Sequence, residues 1–173
     1  MRRITLSLLQ LNDFYLTELS VKWYEPEGNV GDNLTISAHH AINFEVLDHR
    51  EVADEFALNL QFKLLPVDRE NPAGYEISAD ILGFFTLPDS EKKAEQLGSL
   101  VYNGLLILYG ILRGEIAAFT GSFPGGKFLL PTVDMRNVIS RKAEEKIHEQ
   151  PKQKRKKPPS QAPQSKQRTK TSS

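Results

Sequence analysis

Glu55-Phe56-Ala57-Leu58-Asn59-Leu60-Gln61-Phe62-Lys63-Leu64-Leu65-Pro66 alternates apolar and polar side chains with a period of two. A strand turns successive side chains to opposite faces, so Phe56, Leu58, Leu60, Phe62 and Leu64 share one face against Glu55, Asn59, Gln61 and Lys63. Such a strand belongs to a sheet buried on one side. Working outward, the same rule finds three more strands. Tyr15, Thr17, Leu19, Val21 and Trp23 oppose Glu18, Ser20 and Lys22. Leu34, Ile36, Ala38, His40, Ile42, Phe44 and Val46 oppose Thr35, Ser37, His39, Asn43 and Glu45, a run long enough to expect a bulge or bend. Tyr75, Ile77, Ala79 and Ile81 oppose Glu76, Ser78 and Asp80, and Gly83-Phe84-Phe85 closes the run. The turns at 25–29, 48–51 and 68–72 are too short for crossover helices, so the reading is an antiparallel meander.

Downstream the period changes. Pro88-Asp89-Ser90-Glu91 reads as a helix start, and Ala94, Leu97, Val101, Leu105, Leu108, Leu112, Ile116 and Phe119 follow at helical spacing. From Leu100 to Leu112 nearly every side is apolar, more than one sheet can cover. The surplus predicts a subunit interface through Val101, Leu105, Leu108, Tyr109 and Leu112. Four glycines weaken this helix, and a break is expected at Gly110. A turn at 121–127 and an extended stretch to Pro131 lead to a last helix from Asp134 to about Glu149, with Met135, Val138, Ile139, Ala143 and Ile147 on one face. The fold class is α+β, a four-stranded sheet packed with a long helix and a C-terminal helix.

The formal net charge of zero conceals two parts. Residues 1–149 carry 14 Lys and Arg against 22 Asp and Glu, whereas residues 150–173 carry eight bases and no acid. The tail is rich in Pro, Gln, Lys and Ser and lacks any aliphatic side chain larger than Ala, so it is expected to be disordered. One domain, 1–149, and one basic tail, 150–173, follow. The chain has no cysteine, which excludes disulfides and thiolate chemistry and suits a reducing cytoplasm. The opening apolar run is short and interrupted by Ser7 and Gln10, and is assigned to the fold rather than to a signal peptide. No membrane insertion is expected, since the most apolar stretch, 100–112, is too short to span a bilayer.

No catalytic constellation emerges. His39 and His40 are adjacent in a strand and point to opposite faces, so they cannot chelate one ion. His49 lies in a turn and His148 beside the tail. No two acids are fixed together in an apolar setting, and Gly125-Gly126-Lys127 lacks the spacing of a phosphate loop. A non-enzymatic protein without metal or cofactor is the expectation. Surplus apolar surface, including Trp23-Tyr24 and Phe84-Phe85, points instead to binding.

Taken in order, these features resemble the SecB family of export chaperones over about residues 12–149. Phe14-Tyr15-Leu16-Thr17-Glu18-Leu19-Ser20-Val21 followed by Glu25-Pro26 is similar to the family's opening strand, and Gly83-Phe84-Phe85 to the close of its fourth. Ile107-Leu108-Tyr109, Arg113, Glu115, Gly121-Ser122-Phe123-Pro124 and Leu130-Pro131-Thr132-Val133-Asp134-Met135 are similar to its helix and link motifs, in order and spacing. The resemblance implies an ATP-independent holdase for unfolded or precursor polypeptides. It implies a homotetramer built as a dimer of dimers through the long helices, and delivery of clients to the SecA ATPase. Client contacts would be Val21, Trp23, Phe62, Phe84 and Phe85. Glu18 matches an acid of the SecA-docking face, while Lys22 and Ser78 stand where the family has further acids, and Gly110 stands where it commonly has proline. Such departures are similar to SecB-like chaperones dedicated to one client, antitoxins included. The basic tail opens a different class, weak contact with a polyanion or a ribosome through Lys152, Lys154, Arg155, Lys156 and Lys157.

Overall fold

The computed structural model describes residues 9–27, 37–48, 55–86 and 93–149. Its elements are β1 (Gln10–Tyr24), β2 (Ala38–Asp48), β3 (Glu55–Pro66), β4 (Gly74–Thr86), α1 (Lys93–Thr120) and α2 (Met135–Glu149). The strands form one antiparallel sheet in the order β1-β4-β3-β2. The α+β class and the four-stranded sheet with two helices agree with the sequence. The meander holds for β2, β3 and β4 only, because β1 pairs with β4 instead of β2. Residues 25–37 supply the difference. Thirteen residues lie between β1 and β2, enough to join strands three spacings apart, about 14 Å, and the strand order is that of a Greek key. Residues 34–36 of the expected second strand, the helix start at 88–91 and the tail at 150–173 lie outside the described residues.

The alternation read from the sequence sorts the two faces. Phe56, Leu58, Leu60, Phe62, Ile77, Ile81 and Phe85 are fully buried or nearly so on the face beneath α1. β1 departs from simple alternation at two bulges, Leu11/Asp13 and Leu16/Glu18. An extra residue at a bulge flips the side chains that follow. Leu19, Val21 and Trp23 therefore pack on the core. Tyr15, expected with them, lies exposed with its ring edge-on to Phe84 at 5.9 Å between centroids.

α1 crosses the buried face with Leu105, Leu108, Leu112 and Ile116 completely covered. Two glycines make that approach possible. A Cβ on Gly104 would stand 2.5 Å from Leu58 Cδ1, and one on Gly83 would stand 2.5 Å from Leu108 Cδ2. The expected break at Gly110 does not occur, and α1 is one continuous helix. Gly110 faces open space, and burial of the opposite stripe outweighs its propensity cost of about 1 kcal/mol. The Gly98–Thr120 part is long and apolar enough to cross a membrane, yet half of it is buried in this fold.

After α1, Thr120 ties the link together. Its Oγ1 donates to the Ile116 carbonyl (2.7 Å) and accepts from the Phe128 N–H (2.8 Å). Tyr109 donates from its hydroxyl to the Pro131 carbonyl at 2.6 Å, and burial pushes its pKa up. Phe123 and Phe128 close on Tyr75, and Tyr75 packs tilted against Trp23 with centroids 4.8 Å apart. α2 begins where the Asp134 carboxylate accepts the Arg136 N–H (2.9 Å), an N-cap.

Candidate polypeptide-binding groove

Among the described residues β2 is an edge strand, and its register locates the groups that β3 does not pair. The Ser37 carbonyl accepts from Val67 N, on the β3 side. Alternation along an antiparallel pair then turns the N–H and C=O groups of His40, Ile42, Phe44 and Val46 away from β3. One hydrogen bond agrees with this phase: the Ile42 carbonyl accepts from Arg141 Nη2 of α2 at 3.1 Å. A side chain thus stands where a further strand would pair. Beside it, Lys142 Nζ donates to Asn43 Oδ1 at 2.7 Å.

Three hollows of about 360, 380 and 450 Å³ follow one another between this edge and α2. Their apolar floor is Ile42, Phe44, Val101, Val138 and Ile139. Val46, at 38% exposure, extends the floor toward solvent. Polar walls come from His40, Asp134, Asn137, Arg141, Lys142 and Glu145. An unpaired edge over an apolar floor suits an extended chain: backbone groups meet the strand and alternate side chains enter the hollows. Among the described residues no cluster of His, Asp or Glu can hold a metal ion.

The residues singled out in the sequence are not brought together. Phe62 and Phe85 are fully buried in the core. Val21 and Trp23 are half-buried, Trp23 packing over Gly125 and Tyr75. Phe84 lies on the opposite face with Tyr15. Val101, Leu105, Leu108, Tyr109 and Leu112 are all buried within this chain, against its own sheet and link. The uncovered side of α1 carries other residues: Leu106 at 40% exposure, exposed Gly110, Gly114 and Ala118, and half-buried Ile107 and Ile111.

Glu18 is exposed on the face away from α1. Across the ladder it pairs with Asp80. Gln61 Nε2 donates to Asp80 Oδ2 (2.9 Å), while Asp80 Oδ1 is buried without a hydrogen-bond partner among the described residues. At the other end of that face Lys22 Nζ donates to Glu76 Oε1 (2.8 Å) and the Tyr24 hydroxyl to Glu76 Oε2 (2.9 Å). These bonds hold the Glu76 carboxyl below its ordinary pKa, the Lys22 bond contributing most. The groove residues Ile42, Phe44, Val138 and Ile139 were visible in the sequence only as core positions. Alternation reports burial, and strand order decides which strand is an edge.

No protein family matches the sequence, and no curated protein does. The fold does find likenesses. A SecB-like chaperone of Mycobacterium tuberculosis, solved in complex with a peptide from an antitoxin, superposes with a TM-score of 0.51 at 12% identity, over 73% of this chain and 88% of that one. A Streptococcus agalactiae protein of unknown function gives 0.44 at 13% identity, over 72% of this chain and 97% of that one. The chain has a SecB-like fold.

Proposed function

We propose that this protein is an ATP-independent chaperone that holds non-native polypeptides as extended segments along the free edge of β2. The observation that carries this reading is the edge of β2 that no other described strand covers, its Ile42 carbonyl accepting from Arg141 above an apolar floor. The SecB-like fold supports it, and the antitoxin peptide bound by the mycobacterial chaperone is a client of the polypeptide class. Binding through backbone groups is indifferent to sequence, which a holdase requires, and the hollows select apolar side chains. The finer parts belong to the same proposal: assembly as a homotetramer in the cytoplasm, with Leu106, Ile107 and Ile111 of α1 against a neighbouring subunit. Exposed Glu18 is the acidic docking point for SecA in this proposal, and a dedicated antitoxin client is the narrower form of the reading.

The test is delay of aggregation of a chemically unfolded substrate at stoichiometric ratio without nucleotide. The wild type delays it. His40→Pro removes an N–H that faces the free edge and leaves the β3 ladder intact, so it loses the delay while keeping its helix and strand content. Arg141→Ala, which uncovers the Ile42 carbonyl, strengthens it. A wild type without effect, or a His40→Pro variant as active as wild type, sinks the reading.

A further inference from the structure

A second cleft, of about 730 Å³, lies at the end of the sheet where β1 and β3 finish and β2 and β4 begin. Its floor is aromatic and proline-rich: Trp23, Tyr24, Pro26, Pro66 and Pro72. Its charged lining is of one sign, Glu25, Glu27, Asp68 and Glu70, all exposed, with no Lys or Arg among the described lining residues. One Asp68 oxygen accepts the Glu70 and Asn71 N–H groups, which fixes the hairpin between β3 and β4 at the rim of the cleft. Arg69 belongs to the adjoining hollow with Glu76, outside this cleft. The polypeptide-binding reading makes no use of any of these residues.

Aromatic and proline surfaces take extended proline-rich chain, which loses little entropy on docking because its φ angles are already fixed, and acidic walls select bases beside the prolines. One segment of this chain combines both features. Residues 154–168 hold Lys154, Arg155, Lys156, Lys157, Lys166 and Arg168 around Pro158, Pro159 and Pro163, with no acid. We infer that this tail segment is the resident ligand of the cleft, folded back onto its own body. The reach allows it. α2 runs alongside β2 from the His40 end, where Asp134 and Asn137 line the hollow, toward the Val46 end, where Ala143 does. Its C-terminus is therefore about one strand length from the cleft, roughly 35 Å. Residues 150–163 extend to about 45 Å, so Pro163 reaches the aromatic floor, with Lys166 and Arg168 beyond it at the acidic rim. The body, with its excess of acids over residues 1–149, attracts the tail throughout. The cleft is thereby assigned to basic, proline-containing extended segments, and any outside ligand of that kind competes with the tail.

The chain itself provides the probe. Trp23 is its only tryptophan and lines the cleft, and there is no cysteine, so Ser160→Cys takes a single fluorescent acceptor. In the full-length protein, energy transfer from Trp23 to the label is expected at low salt. Loss of transfer is expected at 1 M salt, where the screening length is about 3 Å. The same loss is expected at low salt when Glu25→Lys, Glu27→Lys and Glu70→Lys are combined, three exposed sites whose change leaves the far-ultraviolet dichroism unaltered. Transfer that ignores both salt and charge reversal overturns the inference. Transfer that rises with protein concentration also overturns it, by assigning the tail to a neighbouring copy.

Discussion

Alanine placed at two glycines of α1 separates the covered stripe of that helix from the uncovered one. In an open helix position, Gly→Ala stabilises by about 1 kcal/mol. At Gly110 a Cβ meets nothing within 4 Å, so the gain should appear in full. At Gly104 the same Cβ stands 2.5 Å from Leu58 Cδ1 and 3.4 Å from Phe85 Cζ. Carbon contacts are most favourable near 3.5–4.0 Å, and Leu58 and Phe85 have no exposed surface into which to withdraw. Overpacking of this kind costs typically 1–3 kcal/mol. Set against the same propensity gain, the net is a loss of about 1 kcal/mol, and the two variants differ by about 2 kcal/mol. Urea unfolding followed by helical dichroism reads this directly, and in melting temperature the separation is roughly 4–8 °C for a chain of this size. Equal shifts of one sign at both positions would refute the packing of α1 on β3 and β4, and with it the assignment of the Leu106 side as free.

Three further outcomes follow from single contacts. Thr120→Val leaves the half-buried Phe128 N–H without its acceptor and should cost about 1 kcal/mol, with Thr120→Ser recovering most of it; equal stability of Val and Ser would contradict the link geometry. The folded pKa of Glu76 is lowered, so its stabilisation is present above the unfolded carboxyl pKa and lost as pH falls through the folded value. Wild type and Glu76→Gln should therefore differ in urea midpoint at pH 7 and converge in acid, whereas a gap that widens in acid would reverse the sign. Leu106→Lys should leave urea stability of dilute protein nearly unchanged and lower the mass found by sedimentation; an unaltered mass removes the uncovered stripe of α1 from the assembly.

Much of this molecule was legible as pattern. Period-two alternation identified the buried faces of β3 and β4 residue by residue, and the helical spacing of Val101, Leu105, Leu108 and Leu112 identified the covered stripe of α1. What alternation cannot carry is strand order. The neighbours of β1 are set by the reach of residues 25–37, and that one connection makes β2 an edge. The apolar excess on α1 suggested a subunit interface, yet the five residues chosen for it are those the sheet itself covers, because the sheet takes the most apolar stripe first. The β1 bulges were equally silent. They leave Tyr15 exposed, a placement that a regular alternation misassigns.

The central claim concerns the free edge of β2, and amide hydrogen exchange of the full-length protein with and without an unfolded client tests it most directly. Peptides spanning Ala38–Asp48 should exchange more slowly when client is bound, with the protection falling on the amides of His40, Ile42, Phe44 and Val46, whose N–H groups face away from β3. Client-dependent protection elsewhere, with exchange along Ala38–Asp48 unchanged, would contradict the account.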